Sequence, residues 1–358
     1  MKVFVTGAAG FIGGSIATAL VKAGHQVTGL VRSTDQEQAM LALGITPVLG
    51  ALDDSALLAR QAQQADAVIN AASSDHRGAV QALLDALRGS GKVFLHTSGS
   101  SIVGDASGGK ASDVIYYEGQ LPEPTVDKAA RVAIDNLVLA AAHDNVRSAV
   151  ICNTLIYGHS LGVKRDSVQL PRLLKQARKS GIVRHVGTGQ NIWSNVHIED
   201  VVALYLLALT KNPAGTFYFV ESGEAAFADM SDAIAQTLGL GQAHDWPLAD
   251  AEAEWGYEMA NYGLGSNSRV RGKNARELLG WVPERTSVVQ WIKHDMLCHL
   301  LRVTAGAGRA ACASISGCVG VRAFFILWFE NGSEIRQCSA SSYKNKRKYP
   351  CVLFGSKP

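Results

Sequence analysis

Through roughly the first 150 positions, short unbroken apolar blocks alternate with segments whose apolar residues recur every three or four positions. Val3-Phe4-Val5 reads as a buried strand, followed by a glycine-rich turn and a helix with Ile12, Ile16, Ala19, Leu20 and Ala23 on one face. Gly24 stops that helix at the left-handed position that closes helices. The alternation goes on to predict strands over 26–32, 46–49, 67–71, 93–97 and 149–156. Helices are predicted over 36–43, 56–63, 80–87 and 126–142. Strands apolar along their whole length, joined by helices, belong to a parallel sheet covered on both faces. The expected fold is α/β and doubly wound.

After Gly158 the rhythm loosens. Helices are predicted over 170–179, 201–210, 227–238, 275–279 and 288–297, with short strands near 183–186, 195–198 and 217–220. This is the pattern of a smaller, mixed α/β domain. From about Cys298 no amphipathic period is visible. An apolar knot at 324–329 and the basic run Lys344-Asn345-Lys346-Arg347-Lys348 lie among Gly, Ala and Ser. The expected organisation is therefore a first domain over 1–157 and a second over 158–297, some of whose elements return to the first. A poorly ordered tail over 298–358 follows.

Composition sharpens that division. A chain of 358 residues with 47% hydrophobic and 18% charged content supplies cores for both domains and is not a disordered sequence. The net charge of +3 is unevenly spread: residues 298–358 hold nine Lys/Arg and two Glu, a surplus of +7, which leaves −4 on the rest. Cys152 stands alone in the body, whereas Cys298, Cys312, Cys318, Cys338 and Cys351 crowd the tail. A frameshift, a retained intron or a fusion would each produce such a change. A lone body cysteine suits a reducing compartment, Met1 and Lys2 lead straight into a strand with no removable leader, and no apolar stretch approaches the ~20 residues of a bilayer span. The expectation is a cytoplasmic protein with a small-molecule substrate, no membrane and no nucleic-acid partner; a homodimer is compatible with it. Neither Cys-x-x-Cys nor His-Glu-x-x-His occurs, so no metal is expected, and the absence of Gly-x-Ser-x-Gly argues against a hydrolase elbow.

The chemistry begins at Thr6-Gly7-Ala8-Ala9-Gly10-Phe11-Ile12-Gly13, between a predicted strand and a predicted helix. In that context Gly7 makes the tight turn, Gly10 admits a pyrophosphate close to the backbone, and Gly13 lets helix and sheet approach. The free amides of the first helical turn, around Ala9, Phe11 and Ile12, then face the phosphates. This is a Rossmann-type dinucleotide site. At the end of the second strand an acidic residue would bind the ribose 2′-hydroxyl of NAD, whereas an Arg accepts the 2′-phosphate of NADP. Val31-Arg32-Ser33 stands there, with no carboxylate before Asp35, so NADP(H) is favoured over NAD(H).

With this loop, five further stretches resemble the extended short-chain dehydrogenase/reductases of the NAD-dependent epimerase/dehydratase group. They are Gly50-Ala51-Leu52-Asp53-Asp54, the run from Ala65 to Ala72, Tyr157-Gly158, and Asn195-Val196-His197-Ile198-Glu199-Asp200, with Glu277-Leu278-Leu279-Gly280-Trp281 closing the series. The resemblance covers Met1 to about Leu297 and leaves out the tail. It implies that Leu52 and Asp53 border the adenine, that Ala71 and Ala72 line the pyrophosphate side, and that substrate enters between the domains. It also implies a Tyr-x-x-x-Lys pair, the Lys holding the nicotinamide ribose and the Tyr exchanging a proton with substrate.

Here the chain departs from the pattern. Lys128 is in place, but Pro124 occupies the Tyr position, and no tyrosine in the chain has a Lys four residues later. Gly99 falls where a Ser or Thr is usual, with Ser98 and Ser100 beside it, and Asn153 replaces a usual Pro. Tyr157, Tyr116, Tyr117 and His197 are substitutes to weigh, His197 equally as a buttress of the substrate loop. Arg269, Arg271 and Lys273 form a basic loop that either binds a substrate anion or is simply solvated. The reading is an NADP(H)-dependent oxidoreductase acting on a small carbonyl or alcohol. In it Lys128 orients the cofactor, Ser98 or Ser100 polarises the substrate oxygen, Tyr157 or water supplies the proton, and His197 and Arg271 lie on the substrate side. A dinucleotide-binding regulator with little catalysis is the alternative from another class, and a nucleotide-sugar epimerase or dehydratase is a third.

Overall fold

The computed structural model describes residues 1–297. The expected poorly ordered tail over 298–358, with its basic run and cysteines, lies outside the described residues. The first half alternates strictly: β1 (Lys2–Thr6), α1 (Phe11–Lys22), β2 (Gln26–Val31), α2 (Asp35–Ala42), β3 (Thr46–Leu49), α3 (Ser55–Gln64), β4 (Ala67–Asn70), α4 (Arg77–Leu87) and β5 (Val93–Gly99). A 3-10 turn (Ser100–Val103) and a two-residue strand, β6 (Tyr116–Tyr117), lead to α5 (Ala129–Ala140), β7 (Arg147–Asn153) and β8 (Leu155–Tyr157).

Seven parallel strands form the main sheet in the order β11-β7-β5-β4-β1-β2-β3, with β11 (Thr216–Val220) at one edge. Period-two alternation sends neighbouring residues to opposite cores. Val3, Val5, Leu95 and Ile151 pack with Ile16 and Leu20 on one face, while Phe4, Phe94, Val150 and Cys152 pack with Leu83, Ile134 and Val138 on the other. The order of strands reverses between β1 and β4. A ligand crevice opens at such a switch point, beyond the carboxyl ends of the two strands.

The remainder contains α6 (Leu170–Ser180), β9 (Arg184–Val186), β10 (Ile192–His197), α7 (Ile198–Lys211), β12 (Gly223–Ala226), α8 (Phe227–Leu238), β13 (His244–Trp246) and α9 (Leu248–Trp255). A π-helical turn (Met259–Leu264), β14 (Val270–Arg271), α10 (Asn274–Leu279) and α11 (Val288–His294) complete it. Strands β12, β10 and β8 make a small sheet of their own, over a third apolar cluster built on Leu173, Phe227, Ile234 and Ile292.

Three predicted elements fold differently. The strand expected over 149–156 is two strands, because Thr154 turns the chain: its hydroxyl donates to the Val220 carbonyl at 2.8 Å, and β8 leaves to pair with β10. A continuous apolar run cannot reveal a change of sheet. The strand expected at 217–220 belongs to the main sheet as β11, parallel to β7. The long helix expected from 126 begins only at Ala129, because residues after Pro124 form a turn in which the Lys128 and Ala129 amides both donate to the Thr125 carbonyl at 2.9 Å.

Candidate cofactor cleft and active site

The glycine loop joins β1 to α1 at the switch point, and its glycines are there for contact reasons. Gly7 has φ +70°, and a Cβ on it would lie 2.5 Å from the Ala71 carbonyl oxygen. A Cβ on Gly13 would lie 2.4 Å from the Gly7 carbonyl oxygen, so helix and loop touch backbone to backbone. Gly10 is the N-cap of α1, has no capping side chain, and is followed by a first turn without an acidic residue. The amide end of the helix is thus left to an anion, aided by its dipole. Phe11 is buried, while Ala9 and Ile12 are half-buried against the first core cluster. This cradle fits a dinucleotide diphosphate. A neighbour that sequence reading missed closes its far side: Ser160 and Ser15 hydroxyls lie 3.0 Å apart, and a Cβ on Gly162 would lie 2.6 Å from the Gly14 carbonyl carbon.

Where the resemblance would put the adenine, Arg32 follows the last residue of β2 and is exposed; among the described residues its guanidinium makes no ion pair. Leu52 is half-buried, and Asp53 after it pairs with His76 at 3.0 Å, tying the loop after β3 to the loop before α4. His76 in turn caps α4 by accepting from the Ala79 amide. Ala71 and Ala72 cross directly beside Gly7, with the Ala71 amide donating to the Thr6 hydroxyl at 3.2 Å.

Polar residues then continue across the strand ends into the core. Thr6 donates to Asn70 at 2.5 Å, and Asn70 meets His96 Nδ1 at 3.0 Å. Ser98 donates to Asp135 Oδ2 at 2.8 Å from the buried face of α5. Burial pushes the Asp135 carboxyl up to about 7, and burial pulls the His96 imidazole down to about 4. Ser100 is buried and shares a 2.8 Å hydrogen bond with Ser268. Both candidate serines are thus already engaged. One turn nearer the start of α5, Arg131 forks onto Asp75 with two bonds of 2.7 Å and donates to Ser101 at 2.9 Å. The hydrogen bond from Arg131 holds the Asp75 carboxyl below its ordinary range.

Lys128, the N-cap of α5, is buried to 2% exposure, yet its ammonium meets three groups. Glu258 lies at 2.5 Å, Asp127 at 3.2 Å, and the centre of the Tyr262 ring at 4.4 Å. Glu258 and Tyr262 come from the π turn and the residue before it. Nothing local in the sequence announces them, since the contact spans 130 positions. Asp135 was more legible: a carboxylate between Ile134 and Val138 breaks the apolar stripe of α5.

Other candidates sit elsewhere. Tyr157 is fully buried, its hydroxyl donates to the Arg285 carbonyl at 3.1 Å, and its ring packs edge-on against His197. Burial raises its phenol well above the ordinary range. His197 caps α7 by accepting from the Glu199 amide, and burial pulls it down to about 3, which leaves the ring neutral. Gly158 lies so close to it that a Cβ there would fall 2.5 Å from the imidazole Nε2. Asp200 lies in the first turn of α7, and its carboxylate accepts from the Glu284 and Arg285 amides. Arg271 and Arg269 both pair with Glu224, at 3.0 and 2.8 Å, so two guanidiniums share one carboxylate. Among the described residues there is no cluster of three or more His, Cys, Asp and Glu able to hold a metal, and no helix is long and apolar enough to cross a membrane.

Comparison with known proteins gives a consistent picture. The profile of the NAD dependent epimerase/dehydratase family matches residues 3–220. The oxidase ucsJ of Acremonium sp is 32% identical over 322 residues, spanning 79% of this chain and 92% of its own. A 4-hydroxy-2-methyl-3-oxo-4-farnesyl-3,4-dihydroquinoline-1-oxide ketoreductase of Stigmatella aurantiaca is 28% identical over 238 residues, spanning 62% and 69%. Among solved structures, UDP-glucuronic acid 4-epimerase from Bacillus cereus, bound to UDP-glucuronic acid and NAD, superposes with a TM-score of 0.65. That match has 20% identity and covers 84% of this chain and 100% of the epimerase. It shows the shared fold.

Proposed function

Because this chain belongs to the NAD-dependent epimerase/dehydratase family, we propose that it is an NADP(H)-dependent reductase acting on a small carbonyl compound. The observation that carries this reading is the glycine cradle at the switch point, with Lys128 held at the start of α5. Exposed Arg32, free of ion pairs among the described residues, favours the 2′-phosphate of NADP(H), which a guanidinium grips with paired charge-assisted bonds. When bound, the cofactor supplies hydride. Gly7, Ala9, Gly10, Phe11, Ile12 and Gly13 would hold its diphosphate, with Ala71 and Ala72 alongside. Leu52 and Asp53 would border the adenine, and Lys128 would turn from Glu258 toward the nicotinamide ribose. Ser98 and Ser100 are the hydroxyls at the end of β5, and either one would have to exchange its present partner to polarise a substrate oxygen.

A carbonyl substrate agrees with the ketoreductase among the relatives. The test is a screen of ketones and aldehydes that follows NADPH absorbance, repeated with Lys128→Ala. Turnover with NADPH that the variant loses supports the reading. Tight NADPH binding with no turnover on any carbonyl supports the second reading, a dinucleotide-binding regulator, which the Pro124 substitution and the engagement of Lys128 by Glu258 favour.

A further inference from the structure

We propose that Tyr262 is the catalytic acid of this cleft, donating its phenolic proton to the oxygen of a carbonyl substrate; this rests on the reductase reading above. The position four residues before Lys128 holds Pro124, so no phenol comes from the helix itself. The tertiary structure brings one from the π turn at Met259–Leu264. Tyr262 is half-buried, and the Lys128 ammonium sits 4.4 Å from the centre of its ring, an electrostatically favourable contact.

The other tyrosines of the described residues are committed elsewhere or lie off the cleft. Tyr157 donates to the Arg285 carbonyl, Tyr205 shares a bond with Thr97, and Tyr218 donates to Asn212. Tyr116 and Tyr117 are held in β6 by its pairing with β14. Tyr257 packs its edge on Tyr262 with ring centres 6.2 Å apart, and is itself 63% exposed.

Tyr262 is also well fixed. Ser266 donates to its carbonyl at 2.6 Å, and Glu258, just ahead of the same π turn, binds Lys128, so this segment meets the start of α5 at two points. Burial first, then the nearby Asp127, Tyr257 and Glu258, raise the phenol, so it carries its proton at neutral pH, and the adjacent Lys128 ammonium is the group that would stabilise the phenolate left once the proton is given. The step balances. Hydride from the dihydronicotinamide bonds to the carbonyl carbon, the C=O π pair moves to oxygen, and that oxygen takes the Tyr262 proton. The resulting phenolate recovers its proton from water, the carbonyl has been reduced, and the nicotinamide nucleotide oxidised.

Two measurements on the full chain test this. Tyr262→Phe keeps the ring and its contact with Lys128 but removes the O–H. With a substrate from the carbonyl screen, kcat should fall by at least about a hundredfold while NADPH affinity stays within about twofold. In protein without cofactor, labelled with [13Cζ]tyrosine, the resonance that Tyr262→Phe removes should titrate at higher pH in Lys128→Met. A Tyr262→Phe enzyme that keeps its kcat within about threefold overturns the proposal, as does a resonance indifferent to Lys128→Met. A wild-type protein that binds NADPH and reduces no carbonyl overturns the reductase reading and this acid role with it. In that case the resonance would still respond to Lys128, so the two failures are distinguishable.

Discussion

His96 Nε2 and Asp135 Oδ1 face each other at 3.7 Å in the core, and neither atom has a hydrogen-bond partner. Burial acts on the two groups in opposite senses. The Asp135 carboxyl, raised from 3.8 to about 7, keeps a proton in the folded chain that the unfolded chain has lost. Stability from this group is therefore present in acid and lost as pH rises through 7. His96, lowered from 6.5 to about 4, stays neutral while the unfolded chain takes up a proton, so its contribution is lost as pH falls below 6.5.

Asp135→Asn should remove only the first of these slopes. The expected result is that the Asn variant gains on wild type as pH rises from about 5 to about 8, read from urea midpoints of the two proteins at each pH. A constant difference across that range would show that Asp135 does not carry a proton in the folded chain.

Gly13→Ala places a methyl 2.4 Å from the Gly7 carbonyl oxygen and 3.3 Å from the Ala71 methyl, and neither the backbone nor so short a side chain can swing away. Overpacking of this kind costs about 1–3 kcal/mol. Because relief requires moving the diphosphate loop, NADPH binding followed by fluorescence should weaken at least about tenfold, beyond the loss in melting temperature.

Arg32→Ala should narrow the gap between NADPH and NADH. Loss of one charge-assisted contact to a phosphate is worth about 1.5–3 kcal/mol, or about ten- to a hundredfold in NADPH affinity, with NADH little changed. Equal weakening of both nucleotides would assign Arg32 to the fold instead of the 2′-phosphate.

Glu258→Gln frees the Lys128 ammonium of its nearest carboxylate, leaving Asp127 at 3.2 Å. If Lys128 must release Glu258 to reach a ribose, calorimetric titration should give a severalfold tighter NADPH complex. The advantage should shrink as salt rises, because the Glu258 side chain is 62% exposed and its pairing is screened.

Much was legible along the chain because its causes are local. The apolar run Val3-Phe4-Val5, the glycine spacing from Gly7 to Gly13 and the helix stop at Gly24 each act within a few residues, and together they specify strand, phosphate loop and helix. Arg32 could be placed just past the end of β2 because the apolar run of that strand stops at Val31. Tertiary structure alone decided which groups meet at Lys128, where strand 149–156 divides, and that Tyr157 turns into the core of the second sheet. These outcomes depend on contacts between residues more than a hundred positions apart or between separate sheets. Sequence periodicity reports which way a side chain faces on its own element, and it carries no record of what the packing of other elements will set against that face.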